Sequence, residues 1–319
     1  MKSSKLNGLG RAALLAGVLA SALLASCGGG EQVQSFTASR VIAFGDESSV
    51  INSNGSKYTV NALTTSGTTT FDCNSNPLWI QSVAAVYGLA FPECPGAAVV
   101  DPVSLNYATA GALVADLSGR IDDHLSAGGF RSDDLVTVLV GANDVIAQFE
   151  QYPAIGEEQL AVNLEAAGVE LANQVNRIAG LGAKVLISTI PDMGLTPYAG
   201  DRTAGTTNGN PAVLSRLSTR FNDALLVHLL NDGHKIGLIY LDQYVTAVDK
   251  ATQAGTGSYA NTTLAACKTT APLPNCTTDT LVDEAVGAVW LWADDRRLGP
   301  SGQAGLASLA VTRAQNNPF

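Results

Sequence analysis

The sequence predicts a single α/β domain in which a parallel sheet carries helices on both faces. Continuous apolar runs, without the alternation of a half-exposed strand, are typical of parallel strands that are buried on both sides. Three such runs begin at Val41, Leu135 and Lys184. Because segments with helical spacing of apolar residues alternate with these runs, the strands are expected to lie parallel, with the helices covering the sheet.

The remaining elements extend this pattern to the end of the chain. Helices are predicted where apolar residues recur at helical spacing, over 77–87, 157–183 and 211–230. Residues 57–60 could form a short strand, and residues 235–241 read as the last strand of the sheet. The polar segment 255–280 holds two cysteines and predicts a loop closed by a disulfide.

The first 26 residues have the pattern of an export signal, with three basic residues before an apolar run from Ala12 to Leu24. The run is shorter than the ~20 residues that a transmembrane helix needs, which disfavours the alternative of a single membrane-spanning anchor. Leu24-Ala25-Ser26-Cys27 is similar to a bacterial lipobox. We therefore predict a signal peptide at 1–26 and lipidation of Cys27.

Residues 27–38 are then a short lipid-anchored tether, and the domain is predicted to cover 39–319. Gly28 follows Cys27 where an aspartate could stand. By resemblance to the sorting rule of Gram-negative lipoproteins, this implies the outer membrane, on its periplasmic or its surface face.

The net charge bears on the partners. It is −10 for the whole chain, and removal of the three basic residues of the signal peptide makes it −13. A chain this acidic repels nucleic acid and anionic lipid headgroups, so nucleic acid is not an expected partner. Membrane attachment is therefore expected through the N-terminal lipid alone.

The cysteines predict two disulfides. Besides Cys27 the mature chain has an even number of them, and nearness in sequence favours Cys73–Cys94 and Cys267–Cys276 among the possible pairings. Zinc is the alternative, but no Cys-x-x-Cys pair or nearby histidine supplies tetrahedral ligand spacing. Neither a metal ion nor a cofactor is expected.

The segment VIAFGDESSV at 41–50 organises the chain. Its apolar start reads as a buried strand that stops in a tight turn, and sites in α/β proteins lie just past the carboxyl ends of strands. It resembles the first sequence block of the SGNH or GDSL hydrolases, serine esterases and lipases with Phe-Gly-Asp-Ser at this point. Phe44, Gly45 and Asp46 match, but Glu47 stands at the position of the nucleophilic serine.

Three later segments resemble other blocks of this family. In SLNYATAG the last glycine, Gly111, matches the backbone N–H donor of the oxyanion hole, and in LVTVLVGANDV the side chain of Asn143 matches the second donor. Asp294 matches the aspartate of the Asp-x-x-His block, and Arg297 stands in place of the histidine. The resemblance implies an SGNH-hydrolase-like, flavodoxin-like fold over nearly the whole mature chain.

The two substitutions remove the chemistry of the family. There, a serine oxygen attacks an acyl carbonyl and a histidine takes its proton. Glu47 has no hydroxyl, and a guanidinium with a pKa above ~12 does not accept a proton at neutral pH. Glu47 and Arg297 could instead form a bidentate ion pair in the places of the touching serine and histidine.

The missing base is hard to replace, since the chain has three histidines. His228 lies inside the predicted helix 211–230, and His234 precedes a strand at the end of the sheet away from the site. His124 is the least excluded as a base. Each of the three is expected to be structural or exposed to solvent.

The resulting prediction is a catalytically degenerate outer-membrane lipoprotein of this family, acting in binding or envelope structure with an acyl-ester, lipid or glycan ligand. The alternative is an active carboxylesterase or lipase that hydrolyses acyl esters through Ser48 or Ser49 in a shifted register. Chemistry on the carboxylates of Glu47 and Asp294 is a third reading, although Arg297 nearby would hold both ionised. The sequence does not indicate an oligomeric state.

Overall fold

The computed structural model describes residues 36–96, 98–200 and 210–316. A compact unit begins at Phe36, slightly before the predicted start of the domain at Ser39. The predicted signal peptide and the lipidation site Cys27 lie outside the described residues. No helix within these described ranges is long and apolar enough to cross a bilayer.

A parallel five-stranded sheet occupies the centre of the described chain. In chain order, the strands of all sheets are β1 Arg40–Gly45, β2 Ala62–Leu63, β3 Phe71–Asp72, β4 Leu105–Asn106, β5 Asp134–Leu139, β6 Lys184–Ser188, β7 Ile236–Ile239, β8 Asn261–Ala265 and β9 Trp290–Trp292. The central sheet has the order β4-β1-β5-β6-β7. Because the chain steps from β1 to one side and then to the other, the carboxyl end of β1 is the switch point where such sheets build sites.

Helices cover the two faces of the sheet. They are α1 Trp79–Ala85, α2 Val114–Ser126, α3 Ala142–Phe149, α4 Glu157–Gly180, α5 Pro211–His228, α6 Leu241–Gln253 and α7 Pro300–Asn316. One group forms where α1 packs against α7, and a second where α2, α3 and α5 pack against α4. The predicted α/β architecture with a parallel sheet is confirmed.

The central strands carry the core. Every residue of β5 is buried, and so is every residue of β1 after Arg40. At the amino end of this strand pair, the Arg40 guanidinium donates to both carboxylate oxygens of the fully buried Asp134, over 2.9 and 2.7 Å. This ion pair aligns the first residues of β1 and β5. The carboxyl ends of the two strands are therefore also in register, and Gly45 is paired with Leu139.

Two disulfides close loops outside the central sheet. They join Cys73 to Cys94 and Cys267 to Cys276, across sequence separations of 21 and 9 residues. These are the pairs that nearness in sequence favours, and the four sulfurs are therefore not zinc ligands. Each bridge typically stabilises a fold by about 2–4 kcal/mol through restriction of the unfolded chain.

The predicted strand at 57–60 is not present. Lys57 forms a single isolated bridge with Ile51, and its fully buried ammonium donates to the carbonyl oxygens of Cys73, Ser75 and Asn76 over 2.8, 2.8 and 2.9 Å. Burial lowers the pKa of Lys57 to about 8. The side chain thus ties this loop to the disulfide loop. The backbone N–H and carbonyl of Lys57 bond to the side chain of Asn61 and not to a neighbouring strand.

Four helices of the structure lie outside the ranges predicted from apolar spacing: α2, α3, α6 and α7. The signal for α2 is present, because Val114, Leu117 and Ile121 recur at helical spacing and are all buried. Acidic and basic residues between them hide this stripe in the linear sequence. Helix α3 begins inside the Gly-Ala-Asn-Asp motif, where the sequence predicts only the buried strand that precedes it.

Gly45 is the residue whose replacement is expected to damage this frame most. Its φ is +137°, and a Cβ there would lie 2.0 Å from the carbonyl oxygen of Leu139. Gly45→Ala should therefore lower the free energy of unfolding by about 3 kcal/mol or more, measured by urea denaturation. Gly119→Ala is the control, because a Cβ at Gly119 meets no atom within 4 Å and helix α2 should gain about 0.5–1 kcal/mol. Equal effects of the two variants would contradict this account of the β1–β5 junction.

Candidate active site

The site begins where β1 ends. After Gly45 the chain enters a short 3-10 turn, Glu47–Ser49, and the side chain of Asp46 caps this turn by accepting the backbone N–H of Ser48 over 2.9 Å. The cap turns the side chain of Glu47 toward the carboxyl end of the sheet. Glu47 is 2% exposed, so its carboxylate must find its hydrogen-bond partners within the protein.

One oxygen of this carboxylate holds the two residues matched to oxyanion donors. Glu47 Oε2 accepts the backbone N–H of Gly111 over 2.8 Å and the side-chain amide of Asn143 over 3.0 Å. Gly111 lies in the loop between β4 and α2, and Asn143 lies in the first turn of α3. The amide of Asn143 also donates to the carbonyl of Ala112 over 3.2 Å, which joins the two segments.

The other oxygen holds the arginine. Glu47 Oε1 accepts Nε of Arg297 over 2.8 Å and also Nη2 of the same guanidinium. Both donors use one oxygen, because Oε2 is occupied by Gly111 and Asn143. The predicted bidentate pair is thus wrong in its geometry, although the two residues do meet.

Asp294 holds the far side of the guanidinium. Its Oδ2 accepts Nη1 of Arg297 over 2.7 Å, and its Oδ1 accepts the backbone N–H of the same residue over 2.8 Å. Asp294, Arg297 and Glu47 therefore form one hydrogen-bonded line that ends at Gly111 and Asn143. This line joins the segment after β9 to the carboxyl end of β1.

The charged states of Glu47 and Arg297 stabilise each other. Burial opposes ionisation of Glu47, but Arg297 and the two N–H donors outweigh it and lower the pKa of Glu47 below its ordinary value. Burial likewise opposes the charge on Arg297, but Asp294 and Glu47 raise its pKa. The pair is therefore ionised at neutral pH, and Arg297 does not supply a general base.

Two further carboxyl groups, which were not among the predicted site residues, position this site. Burial, followed by the charge of Glu47, raises the pKa of Asp46 to about 7. Burial also raises the pKa of Asp144 to about 6, and its carboxylate accepts the backbone N–H of Val114 over 3.1 Å. Asp144 thereby ties the start of α3 to the start of α2. The sequence could have indicated both carboxyl groups, because Asp46 directly precedes Glu47 and Asp144 directly follows Asn143.

Comparison with known protein families shows the family of this chain. The family model described as GDSL-like lipase/acylhydrolase matches residues 41–268, well over half of the chain. The chain belongs to the GDSL-like lipase/acylhydrolase family. The match ends before Asp294, so the place of Asp294 and Arg297 in the site rests on the geometry. No curated protein matches this sequence.

Solved structures of a lipase, an alpha/beta hydrolase and an acetylxylan esterase match most of this chain at low sequence identity. The lipase Lip_vut3 from a goat rumen metagenome is 12% identical, with a TM-score of 0.50 over 86% of this chain and 97% of that chain. LAE5, an alpha/beta hydrolase from the metagenome of Lake Arreo, Spain, is 16% identical, with a TM-score of 0.47 over 89% and 98%. A catalytic mutant of Axe2, an acetylxylan esterase from Geobacillus stearothermophilus, is 14% identical, with a TM-score of 0.47 over 88% and 96%.

The two serines after Glu47 have different surroundings in this GDSL-family chain. Ser49 is fully buried, and its hydroxyl accepts Nε1 of Trp79 over 3.1 Å, so it packs into the core. Ser48 is half-buried, and its hydroxyl bonds to no His, Asp or Glu among the described residues. Neither serine is paired with a base.

All three histidines of the chain are described, and none contacts the site. His124 is buried, where Nδ1 meets the hydroxyl of Tyr107 at 3.2 Å and the ring packs beside Phe130. His228 Nδ1 lies 2.9 Å from a backbone carbonyl within α5, and His234 precedes β7 at the opposite end of the sheet. No group of His, Cys, Asp and Glu among the described residues is arranged to hold a metal ion.

Arg297→Ala tests the stabilising role of the charged line. It leaves the carboxylate of Glu47, whose side chain is 3% exposed, without its cation, and should lower the free energy of unfolding by about 3 kcal/mol or more in urea.

The neighbouring arginine is the matched control. Arg296 contacts the partly exposed Asp295 over 3.1 Å and lies 5.3 Å from the ring centroid of Tyr198. Arg296→Ala should cost about 1 kcal/mol or less. A cost for Arg297→Ala no larger than that of Arg296→Ala would show that Glu47 does not depend on Arg297.

Proposed function

We propose that this protein is a non-hydrolytic member of the GDSL-like family, anchored in the outer membrane as a lipoprotein. The observation that carries the proposal is the position of Glu47. Its carboxylate accepts hydrogen bonds from both Gly111 and Asn143, the two donors that an ester substrate would need for its oxyanion.

Hydrolysis requires a nucleophile, a base and free oxyanion donors at the same time. Glu47 supplies no hydroxyl, Arg297 stays protonated, and the negative oxygen of Glu47 already holds both donors. An attack by Ser48 would meet the same obstacle, because the tetrahedral intermediate would have to displace a carboxylate that is held in an ion pair. Loss of all three requirements together favours a binding role over residual esterase activity.

The proposed role is recognition within the cell envelope. The family acts on acyl esters, so we favour an acyl-ester, lipid or glycan ligand over a peptide, and the acidic chain disfavours nucleic acid. The lipobox-like segment ending at Cys27 and the acidic mature chain support anchoring through lipid. Such a ligand would be held without being cleaved.

The wild-type protein is expected to hydrolyse p-nitrophenyl acetate and butyrate no faster than its Ser48→Ala variant. A fluorophosphonate probe should leave Ser48 and Ser49 unlabelled, as read by mass spectrometry. Hydrolysis that is lost in Ser48→Ala, together with stoichiometric labelling of Ser48, would replace the binding role by esterase activity through that serine.

A rebuilt triad provides the positive control for this assay. Glu47→Ser with Arg297→His restores a hydroxyl and a base beside Asp294 and frees Gly111 and Asn143. This variant should exceed the wild type by about 100-fold or more. Glu47→Ser with Arg297→Gln opens the same site without a base and should remain near the wild-type rate. Equal rates for these two variants would mean that the cleft is not the remnant of a hydrolase site.

A further inference from the structure

The end of the sheet opposite to the candidate site is the end where the chain enters the domain. Residues 36–39 lead directly into the amino end of β1, and the ring of Phe36 packs against Tyr87, just past α1, at 6.2 Å between centroids. We call this end the amino-end face. It consists of residues 36–39, 86–88, 98–104, 181–183 and 227–235.

Most of the large apolar side chains exposed by the described residues lie on this face. Six of the eight are Val86, Val100, Val103, Leu181, Val227 and Leu230. Val227 is 77% exposed and Val100 is fully exposed. Exposed apolar residues gathered at one end of a soluble domain mark an interaction surface rather than chance scatter.

The charges of the amino-end face and of the residues directly beside it cancel, although the whole chain carries −10. The cations in and beside the loops that enter the strands are Arg131, Lys184 and Lys235, and the anions are Asp101, Asp133 and Asp232. A neutral apolar face can approach anionic lipid headgroups that would repel the acidic remainder of the domain.

The length of the preceding chain restricts which end can face a membrane. From Cys27 to Phe36 the extended backbone reaches at most about 30 Å. A domain that runs from Phe36 to Phe319 is about 45–50 Å across. With a lipid on Cys27, the tether is therefore too short for the candidate site to be turned toward the bilayer.

We propose that the amino-end face rests on the lipid surface and that the candidate site is thereby directed away from the membrane. This inference rests on the proposed lipidation of Cys27. The docked face places Val227 and Leu230 at the headgroup boundary, where apolar side chains are favoured. The site is then open to ligands in the aqueous phase and not to acyl chains within the same leaflet.

Hydrogen exchange on vesicles tests the proposal. The lipidated mature protein is reconstituted on vesicles of phosphatidylethanolamine and phosphatidylglycerol, and the unacylated Cys27→Ser protein is mixed with the same vesicles as the reference. Peptides that cover 98–104 and 227–235 should exchange about tenfold more slowly in the lipidated protein. Peptides that cover 47–50 and 294–299 should exchange equally in both.

Two substituted forms of the lipidated protein assign the protection to the face. Val227→Glu with Leu230→Glu should abolish the protection at 227–235, while the protein still sediments with vesicles through its lipid. Val162→Glu is the control, because Val162 is 47% exposed in α4 and lies outside the amino-end face. It should leave the protection unchanged.

The outcomes separate this proposal from the one on which it rests. A wild-type protein that carries no acyl mass on Cys27 would overturn the lipoprotein assignment and the docked face together. An acylated protein that sediments with vesicles but shows no protection at 98–104 and 227–235 would overturn the docked face alone. Protection of these loops in Cys27→Ser without vesicles, with the mass of a dimer, would assign the face to a second copy of the chain.

Discussion

The rest of the site depends on the burial of one carboxylate at the carboxyl end of β1. An isolated ionised glutamate at that depth would cost several kcal/mol, or would take up a proton. Glu47 avoids both outcomes because Gly111 and Asn143 hold one oxygen and Arg297 holds the other. Gly111, Asn143 and Arg297 are the residues whose sequence blocks resemble those of the family's oxyanion donors and base. Without Arg297 the buried carboxylate of Glu47 would lack its cation, whereas Arg297 without Glu47 would still be paired with Asp294.

The fold supplies the convergence that this pair needs. Glu47 and Arg297 are separated by 250 positions, and they meet because β1 ends at the switch point of the sheet while the segment after β9 returns to the same edge. The side chains of Asp46 and Asp144 fix the local backbone by accepting N–H groups of Ser48 and Val114. The fold of the GDSL-like family is thus retained, and a hydrogen-bonded ion pair lies at the carboxyl end of β1.

Much of the fold could be predicted, because strands buried on both faces leave unbroken apolar runs such as that of β5. Helix α2 was not predicted because charged residues interrupt its apolar stripe. The loop at Lys57 was not predicted because a buried ammonium that bonds to backbone carbonyls leaves no pattern in the sequence. The meeting of Glu47 with Arg297 follows from the matched blocks. The hydrogen bonds from Gly111 and Asn143 to Glu47 could not be predicted in this way, because they depend on the length of the glutamate side chain. Its carboxylate extends past the point where a serine oxygen would lie.

The central claim is that Glu47 and Arg297 stabilise the domain through each other, and a double-mutant cycle measures this most directly. The free energies of unfolding of the wild type, Glu47→Ala, Arg297→Ala and the double variant give the coupling between the two side chains. We expect a favourable coupling of about 2–3 kcal/mol, with the double variant milder than the sum of the single ones, because it leaves no unpaired charge between these positions. A coupling near zero would show that the two charges do not compensate each other and would contradict the account of this site.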